Sequence, residues 1–180
     1  MKKKKISDLR NILCIDPGKY TGWAYFDGTL QPYTEDTMAC FKLTYGKGKI
    51  ESQEHLIKVM WPQFNSLLNF HIDYGKTCYK KNPKVYIEQP EFWDSYKGTT
   101  SGTSGSLLLV AIVAHTYAVI CAQKNIDFTL ITANTWKGNL TKKATEERIY
   151  RINGTKYHTD HTCDAVGIGL SLDKDRWNLC

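Results

Sequence analysis

Two short apolar runs, each ending at a carboxylate, form the clearest pattern in the chain. Asn11–Ile15 ends at Asp16-Pro17-Gly18, and Lys84–Ile87 ends at Glu88-Gln89-Pro90. Such runs are typical of strands that are buried on both faces, and the Pro and Gly residues that follow them predict turns. We therefore predict two central strands that present Asp16 and Glu88 where they end.

Helices follow from a different spacing of apolar residues. Residues 50–72 repeat apolar positions every three or four residues, which indicates an amphipathic helix that Pro62 is expected to kink or divide. Leu107–Ala122 is an apolar run of 16 residues and predicts a buried helix. Because about 20 residues are needed to cross a bilayer, we expect no membrane partner. The other predicted elements are strands at 21–26, 38–44 and 127–131 and helices at 142–152 and 160–172.

The predicted order is β-β-β-α-β-α-β-α-α, and this order constrains the sheet. The first three strands form an antiparallel meander, whereas strands that are connected through helices must run parallel. We therefore expect an α/β fold with a mixed five-stranded sheet, three strands antiparallel and then two parallel, flanked by helices. A single domain over 11–180, preceded by a basic disordered tip at 1–10, fits the length.

Charge and cysteine content narrow the choice of partner and compartment. The 24 Lys and Arg residues exceed the 18 Asp and Glu residues, giving a formal net charge of +6. Such an excess attracts polyanions, nucleic acid first among them, although it also serves solubility alone. The six cysteines are unevenly spaced and contain no C-x-x-C pair, which is typical of reduced thiols in the cytoplasm.

The two strand-ending carboxylates are the first candidates for chemistry. In open α/β sheets, ligands bind at the carboxyl ends of the strands, where Asp16 and Glu88 are predicted to lie. Asp16 before Pro-Gly also has an ordinary interpretation as a turn former. Glu88 has no such interpretation, because an ionised carboxylate beside a core needs a partner, and a bound cation is one.

A third acidic segment lies near the end of the chain. His161 and Asp164 are three residues apart, so they share one face of the predicted helix. Asp160 is interpreted as a helix cap, with metal ligation as the alternative. Carboxylates that converge raise each other's pKa unless a cation lies between them, and Mg²⁺ prefers oxygen ligands. Two such ions can activate water and stabilise the leaving oxygen at phosphorus, so we infer phosphodiester hydrolysis.

Three segments together resemble the RuvC-type Holliday junction resolvases. They are residues 12–24 (ILCIDPGKYTGWA), residues 87–89 (IEQ) and residues 164–170 (DAVGIGL). The resemblance implies an RNase H-like fold and a homodimer that makes paired nicks in four-way DNA junctions during DNA recombination and repair. It also implies a crossover junction endodeoxyribonuclease that uses Mg²⁺, with Mn²⁺ as a substitute, in the cytoplasm of a bacterium or phage-infected cell.

The resemblance assigns roles to individual residues. Asp16, Glu88 and Asp164 match the metal ligands, and His161 matches the fourth ligand, with Asp160 one residue away as the alternative. Residues 132–143 (TANTWKGNLTKK) resemble the family's basic segment near the scissile phosphate. There Lys137 is expected to contact the phosphate. The expected DNA-binding residues are Lys142, Lys143, Trp136, Phe92 and Trp93, the last two as candidates for stacking on an unpaired base.

Several alternative functions remain at this point. A nuclease of the same fold could act more broadly on branched DNA or flaps, on RNA, or as a transposase. The segment 16–22 also resembles the phosphate-binding hairpin of actin-like ATPases, but such proteins need two domains of this kind. A non-catalytic junction-binding protein would not need acidic residues at three separate places.

Overall fold

Four strands form the sheet in the part of the chain that the structure describes. The computed structural model describes residues 9–18, 21–33, 53–91 and 106–179. The strand order is β2-β1-β3-β4, with β1 and β2 antiparallel and the other neighbouring pairs parallel. The strands are β1 (Arg10–Asp16), β2 (Gly22–Asp27), β3 (Lys84–Gln89) and β4 (Phe128–Thr132).

The helices occur between and after these strands. They are α1 (Gln53–Tyr79), α2 (Ser106–Gln123), α3 (Ala133–Trp136), α4 (Lys142–Asn153), α5 (Asp160–Ser171) and α6 (Lys174–Leu179). None of the described helices is long and apolar enough to span a bilayer.

The mixed α/β sheet is confirmed, but several predicted boundaries need correction. The described sheet has four strands rather than five. The predicted strand at 38–44 lies outside the described residues, although Tyr33 forms an isolated antiparallel bridge with Tyr25. Helix α1 continues through Pro62 and ends at Tyr79, well beyond the predicted end. Leu9 and Arg10, which the prediction assigned to a disordered tip, are among the described residues: Leu9 is buried and Arg10 pairs with Asp27.

Alternate residues of β1 face two different layers of helices. Leu13 and Ile15 belong to the core formed with α1 and α2. Ile12 and Cys14 belong to the second core, formed with α3 to α6. Because both faces of β1 are covered, its uninterrupted apolar sequence is required. Asp16 alternates with Ile12 and Cys14 and therefore faces the layer formed by α3 to α6.

One buried side chain ties the first three strands together at the edge opposite the carboxylates. Asn11 has a left-handed backbone with φ of 59° and sits at the irregularity in the β1–β2 register. Its amide Nδ2 donates to the carbonyls of Lys81 (3.1 Å) and Asn82 (2.9 Å), which lead into β3. Its Oδ1 accepts from the Tyr25 hydroxyl on β2 at 2.7 Å. Asn11 therefore helps to align the two strands that carry Asp16 and Glu88.

We expect Asn11→Ala to lower the free energy of unfolding by about 3 kcal/mol. The substitution leaves the buried partners of Asn11 without their hydrogen bonds and places alanine in the left-handed region. The matched control is Asn125→Ala, since Asn125 has a φ of 53° but is exposed. That variant should lose only about 1 kcal/mol, from its backbone alone. Urea unfolding of both variants measures the difference, and equal losses would show that the Asn11 hydrogen bonds contribute little.

Candidate active site

The register of the parallel strands brings the first two carboxylates to one edge of the sheet. Ile15 pairs with Ile87 in the β1–β3 register, so the next residues along are Asp16 and Glu88. Asp16 is 8% exposed, and Glu88 is partly buried. The sequence-based expectation that these two carboxylates lie together is therefore met by the geometry of the sheet.

Helix α5 approaches this edge across β2 and brings His161 to Asp16. The His161 Nδ1 lies 2.7 Å from the Asp16 Oδ2. Gly22, which pairs with Asp16 across β1 and β2, makes this approach possible. A methyl group at Gly22 would overlap the backbone carbonyl of His161. Helix α5 can therefore lie this close to β2 only because Gly22 has no side chain, and the His161–Asp16 contact depends on that short distance.

Two adjacent residues at the end of α3 contact the other two carboxylates. The Trp136 indole Nε1 donates to the Glu88 Oε2 at 2.7 Å. The Lys137 ammonium donates to the Asp164 Oδ2 at 2.9 Å. Helix α3 begins immediately after β4 at Thr132, whose side chain accepts from the backbone N–H of Thr135. This short helix therefore delivers one neutral and one cationic donor to the site.

Burial and mutual repulsion control the charge state of the carboxylates. Burial raises the pKa of Asp16, although the hydrogen bond and positive charge of His161 oppose this change. Burial, and then the charge of Asp16, raise the pKa of Glu88 to about 8. The pKa of His161 is raised because its charged form donates to Asp16. Burial alone would lower the pKa of Lys137, but the attraction of Asp164 outweighs it and the pKa is raised.

The donor set is chemically suited to a hard divalent cation. Asp16, Glu88 and Asp164 supply carboxylate oxygens and His161 supplies an imidazole. The negative charges of Asp16 and Asp164 contribute to the raised pKa of Glu88. Within the described ranges, no three His, Cys, Asp or Glu side chains are already arranged as a metal-binding group. Instead, one oxygen of each carboxylate already has a hydrogen-bond partner: His161 for Asp16, Trp136 for Glu88 and Lys137 for Asp164.

The remaining predicted polar residues lie around this cluster rather than in it. Asp160 pairs with Lys142 at the exposed start of α5. Asp160 is not the helix cap that its position suggested, because Thr159 is the N-cap and accepts from the backbone N–H of Thr162. Lys143 lines a separate cavity of about 390 Å³ along α4.

Trp136, one of the three aromatic residues predicted to contact DNA, is buried. Trp136 is 1% exposed, so its ring cannot stack on a base while α3 is folded. Its side chain faces inward, because the hydrogen bond to Glu88 and the core formed with α5 fix it there. Phe92 and Trp93 lie outside the described residues. The contribution of Trp136 to the site is therefore a hydrogen bond to a carboxylate.

We expect Gly22→Ala to push α5 away from β2 and to separate His161 from Asp16. Loss of that contact should move the pKa of His161 back toward its ordinary value, which NMR titration of the imidazole protons measures. Gly169→Ala is the matched control, since a methyl group there would meet the Phe26 ring at the same interface but farther along α5. It should destabilise the protein by about 1 to 3 kcal/mol while leaving the His161 pKa raised. An unchanged pKa in Gly22→Ala would contradict the role given to this glycine.

Comparison with known proteins agrees with this architecture. No family model and no curated protein sequence matches the chain. A solved structure that does match is T. thermophilus RuvC in complex with a Holliday junction substrate, with a TM-score of 0.59 and 14% sequence identity. The match covers 89% of this chain and 90% of that chain. The mixed sheet with helices on both faces fits the expected RNase H-like architecture, and the chain therefore has a RuvC-like fold.

Proposed function

We propose that this chain is an Mg²⁺-dependent endonuclease that resolves four-way DNA junctions by paired nicks. The observation that carries the proposal is the convergence of Asp16, Glu88, Asp164 and His161 at one sheet edge of a RuvC-like fold. Segments far apart in the sequence supply these groups, and clustered carboxylates destabilise a core unless they are paired or bind a cation. A divalent cation that takes part in phosphoryl chemistry would account for the cluster.

The cation would be held by Asp16, Glu88 and Asp164, with His161 as the fourth ligand. We favour His161 over Asp160 because His161 contacts Asp16, whereas Asp160 pairs with Lys142 away from that carboxylate. When bound, a pair of Mg²⁺ ions, or Mn²⁺ in their place, supplies an activated water and charge stabilisation for the leaving oxygen.

The chain's own cations position the DNA. Lys137 is about one-fifth exposed and already lies among the carboxylates, so a phosphodiester that reaches the site comes within range of its ammonium group. Lys142 and Lys143 lie at the start of α4, next to the segment that carries Lys137. Both are exposed and can neutralise neighbouring phosphates, which makes binding depend on salt.

Junction selectivity requires two sites of the same orientation, which we propose a homodimer provides. A four-way junction has near two-fold symmetry, and a C2 dimer places identical sites on strands of like polarity. Helix α2 packs mainly on the sheet, but Val119 is 49% exposed on its outer side. An apolar residue at that place suits a helix that also packs on its counterpart in a second subunit.

We expect the purified protein to cut a four-way junction in preference to a flap, linear duplex or RNA–DNA hybrid, and to lose this activity in chelator. Asp16→Asn and Asp164→Asn should lower the cleavage rate at least a thousandfold, because several kcal/mol of charge stabilisation are removed. Junction binding in chelator should persist. Asp175→Asn, which changes an exposed acid on α6, is the matched control and should cut normally.

The pattern of cleavage separates the possible outcomes. Equal cutting of junctions and flaps would replace the proposal with a broader branched-DNA nuclease. Preference for the hybrid would indicate an RNase. Full activity in Asp16→Asn would remove the site assignment.

We also expect the affinity for Mg²⁺ to rise with pH. The pKa of Glu88 is about 8 in the metal-free protein, so its carboxyl is mostly protonated at neutral pH. A cation binds the ionised form, and each unit of pH below 8 therefore costs about tenfold in affinity for one linked proton. Isothermal titration calorimetry between pH 6 and 8 measures this slope, which Glu88→Gln should reduce. Equal affinity across that range would contradict the raised pKa.

A further inference from the structure

The Trp136 indole is held between a glycine and a carboxylate. Its six-membered ring lies against Gly167 of α5, where a methyl group would come within 2.5 Å of Cζ3. From its five-membered ring, Nε1 donates to the Glu88 Oε2 at 2.7 Å. Trp177 of α6 also packs near it, with ring centroids 5.9 Å apart. The side chain is thus fixed at one end by packing and at the other by a hydrogen bond to Glu88.

We propose that Trp136 is a positioning residue which, supported by Gly167, holds the Glu88 carboxylate in the orientation that binds the cation. This inference rests on the proposed function and concerns a residue that acts through Glu88 rather than on DNA. Trp136 is 1% exposed, which leaves no surface for a base to stack on. Its part in the site is therefore exerted through the one polar atom that it carries.

The hydrogen bond has a direct consequence for a cation site. It limits rotation of the Glu88 carboxylate, so less conformational freedom is lost when a cation binds. Donors to metal-binding carboxylates typically change metal affinity by about 10- to 100-fold when they are removed.

Gly167 explains why the support is stiff. The indole fills the space that a side chain at position 167 would occupy, so the ring cannot withdraw from Glu88 without opening a void against α5. Asp164 lies one turn earlier on the same helix. The helix that carries one carboxylate thereby fixes the donor to another, which couples Glu88 and Asp164 mechanically.

The test compares Trp136→Phe with Trp177→Phe. Both replace a buried indole in the same cluster, but the Trp136 indole is the one that donates to Glu88. By calorimetry with Mg²⁺ alone, Trp136→Phe should bind at least about tenfold more weakly, whereas Trp177→Phe should bind like the wild type. Junction affinity in chelator should be unchanged in Trp136→Phe. Equal metal affinity in the two variants, or an equal loss in both, would overturn the proposal.

A second measurement uses the native protein and does not depend on how the variants fold. Indole N–H resonances of the wild type, in a nitrogen-15 labelled sample, are followed during titration with Mg²⁺. The resonance of Trp136 should shift with metal, while that of Trp177 should move little.

A further variant, Gly167→Ala, displaces the indole but keeps its N–H, and it should also weaken Mg²⁺ binding. A Trp136 resonance that does not respond to metal would overturn the proposal.

Failure of this inference is distinguishable from failure of the proposed function. If the wild type binds no Mg²⁺ and cuts no branched DNA, both are lost. If the wild type binds metal and cuts junctions but Trp136→Phe matches Trp177→Phe, the loss is confined to the positioning role.

Discussion

The structure is organised around the cost of placing Asp16 and Glu88 side by side at a buried sheet edge. Burial raises the pKa of both carboxyls, and the charge of Asp16 adds to the effect on Glu88. Such groups are tolerated only where donors or cations meet them. His161 of α5 contacts Asp16, and Trp136 of α3 donates to Glu88. Both helices must therefore lie close enough to the sheet edge to provide these contacts.

Glycines make this arrangement sterically feasible. Helix α5 crosses the sheet so closely that Gly22 leaves room for its backbone, and Gly167 and Gly169 leave room for the rings of Trp136 and Phe26. With an ordinary side chain at Gly22 the start of α5 would sit farther out, and His161 would no longer reach Asp16 at the sheet edge. The packing of small against large residues therefore sets the distance between α5 and the sheet.

The sequence predicts those parts of the fold and site that depend on local pattern. Strands β1 and β3 follow from runs buried on both faces, and the juxtaposition of Asp16 and Glu88 follows from parallel pairing. Helix α3 has four residues, too few to show any periodicity. Thr159 and Asp160 are both capping residue types, and local pattern does not choose between adjacent positions.

Long-range contacts are the part that pattern does not reveal. Trp136 beside Lys137 in a basic segment resembles a DNA contact, yet the direction of its ring is decided by Gly167, 31 residues later. The same limit applies to Gly22, whose partner is the backbone of His161. A glycine that ends a turn and one that admits a helix look alike until the tertiary structure is known.

The donors also differ in how readily they can give way to a cation or to DNA. Trp136 is 1% exposed and packs against Gly167 and Trp177, so its hydrogen bond to Glu88 is shielded from solvent and hard to exchange. The Lys137–Asp164 pair is about one-quarter exposed, and the Lys142–Asp160 pair lies farther out still. Exposed ion pairs contribute little net stability, so the Lys142–Asp160 pair costs little to break. The site thus has an inner side that contains the buried Trp136 and an outer side on which the ion pairs are more exposed. Under the proposed function, a cation would take over the role of Lys137 at Asp164, and the ammonium group would then be available to an incoming phosphate.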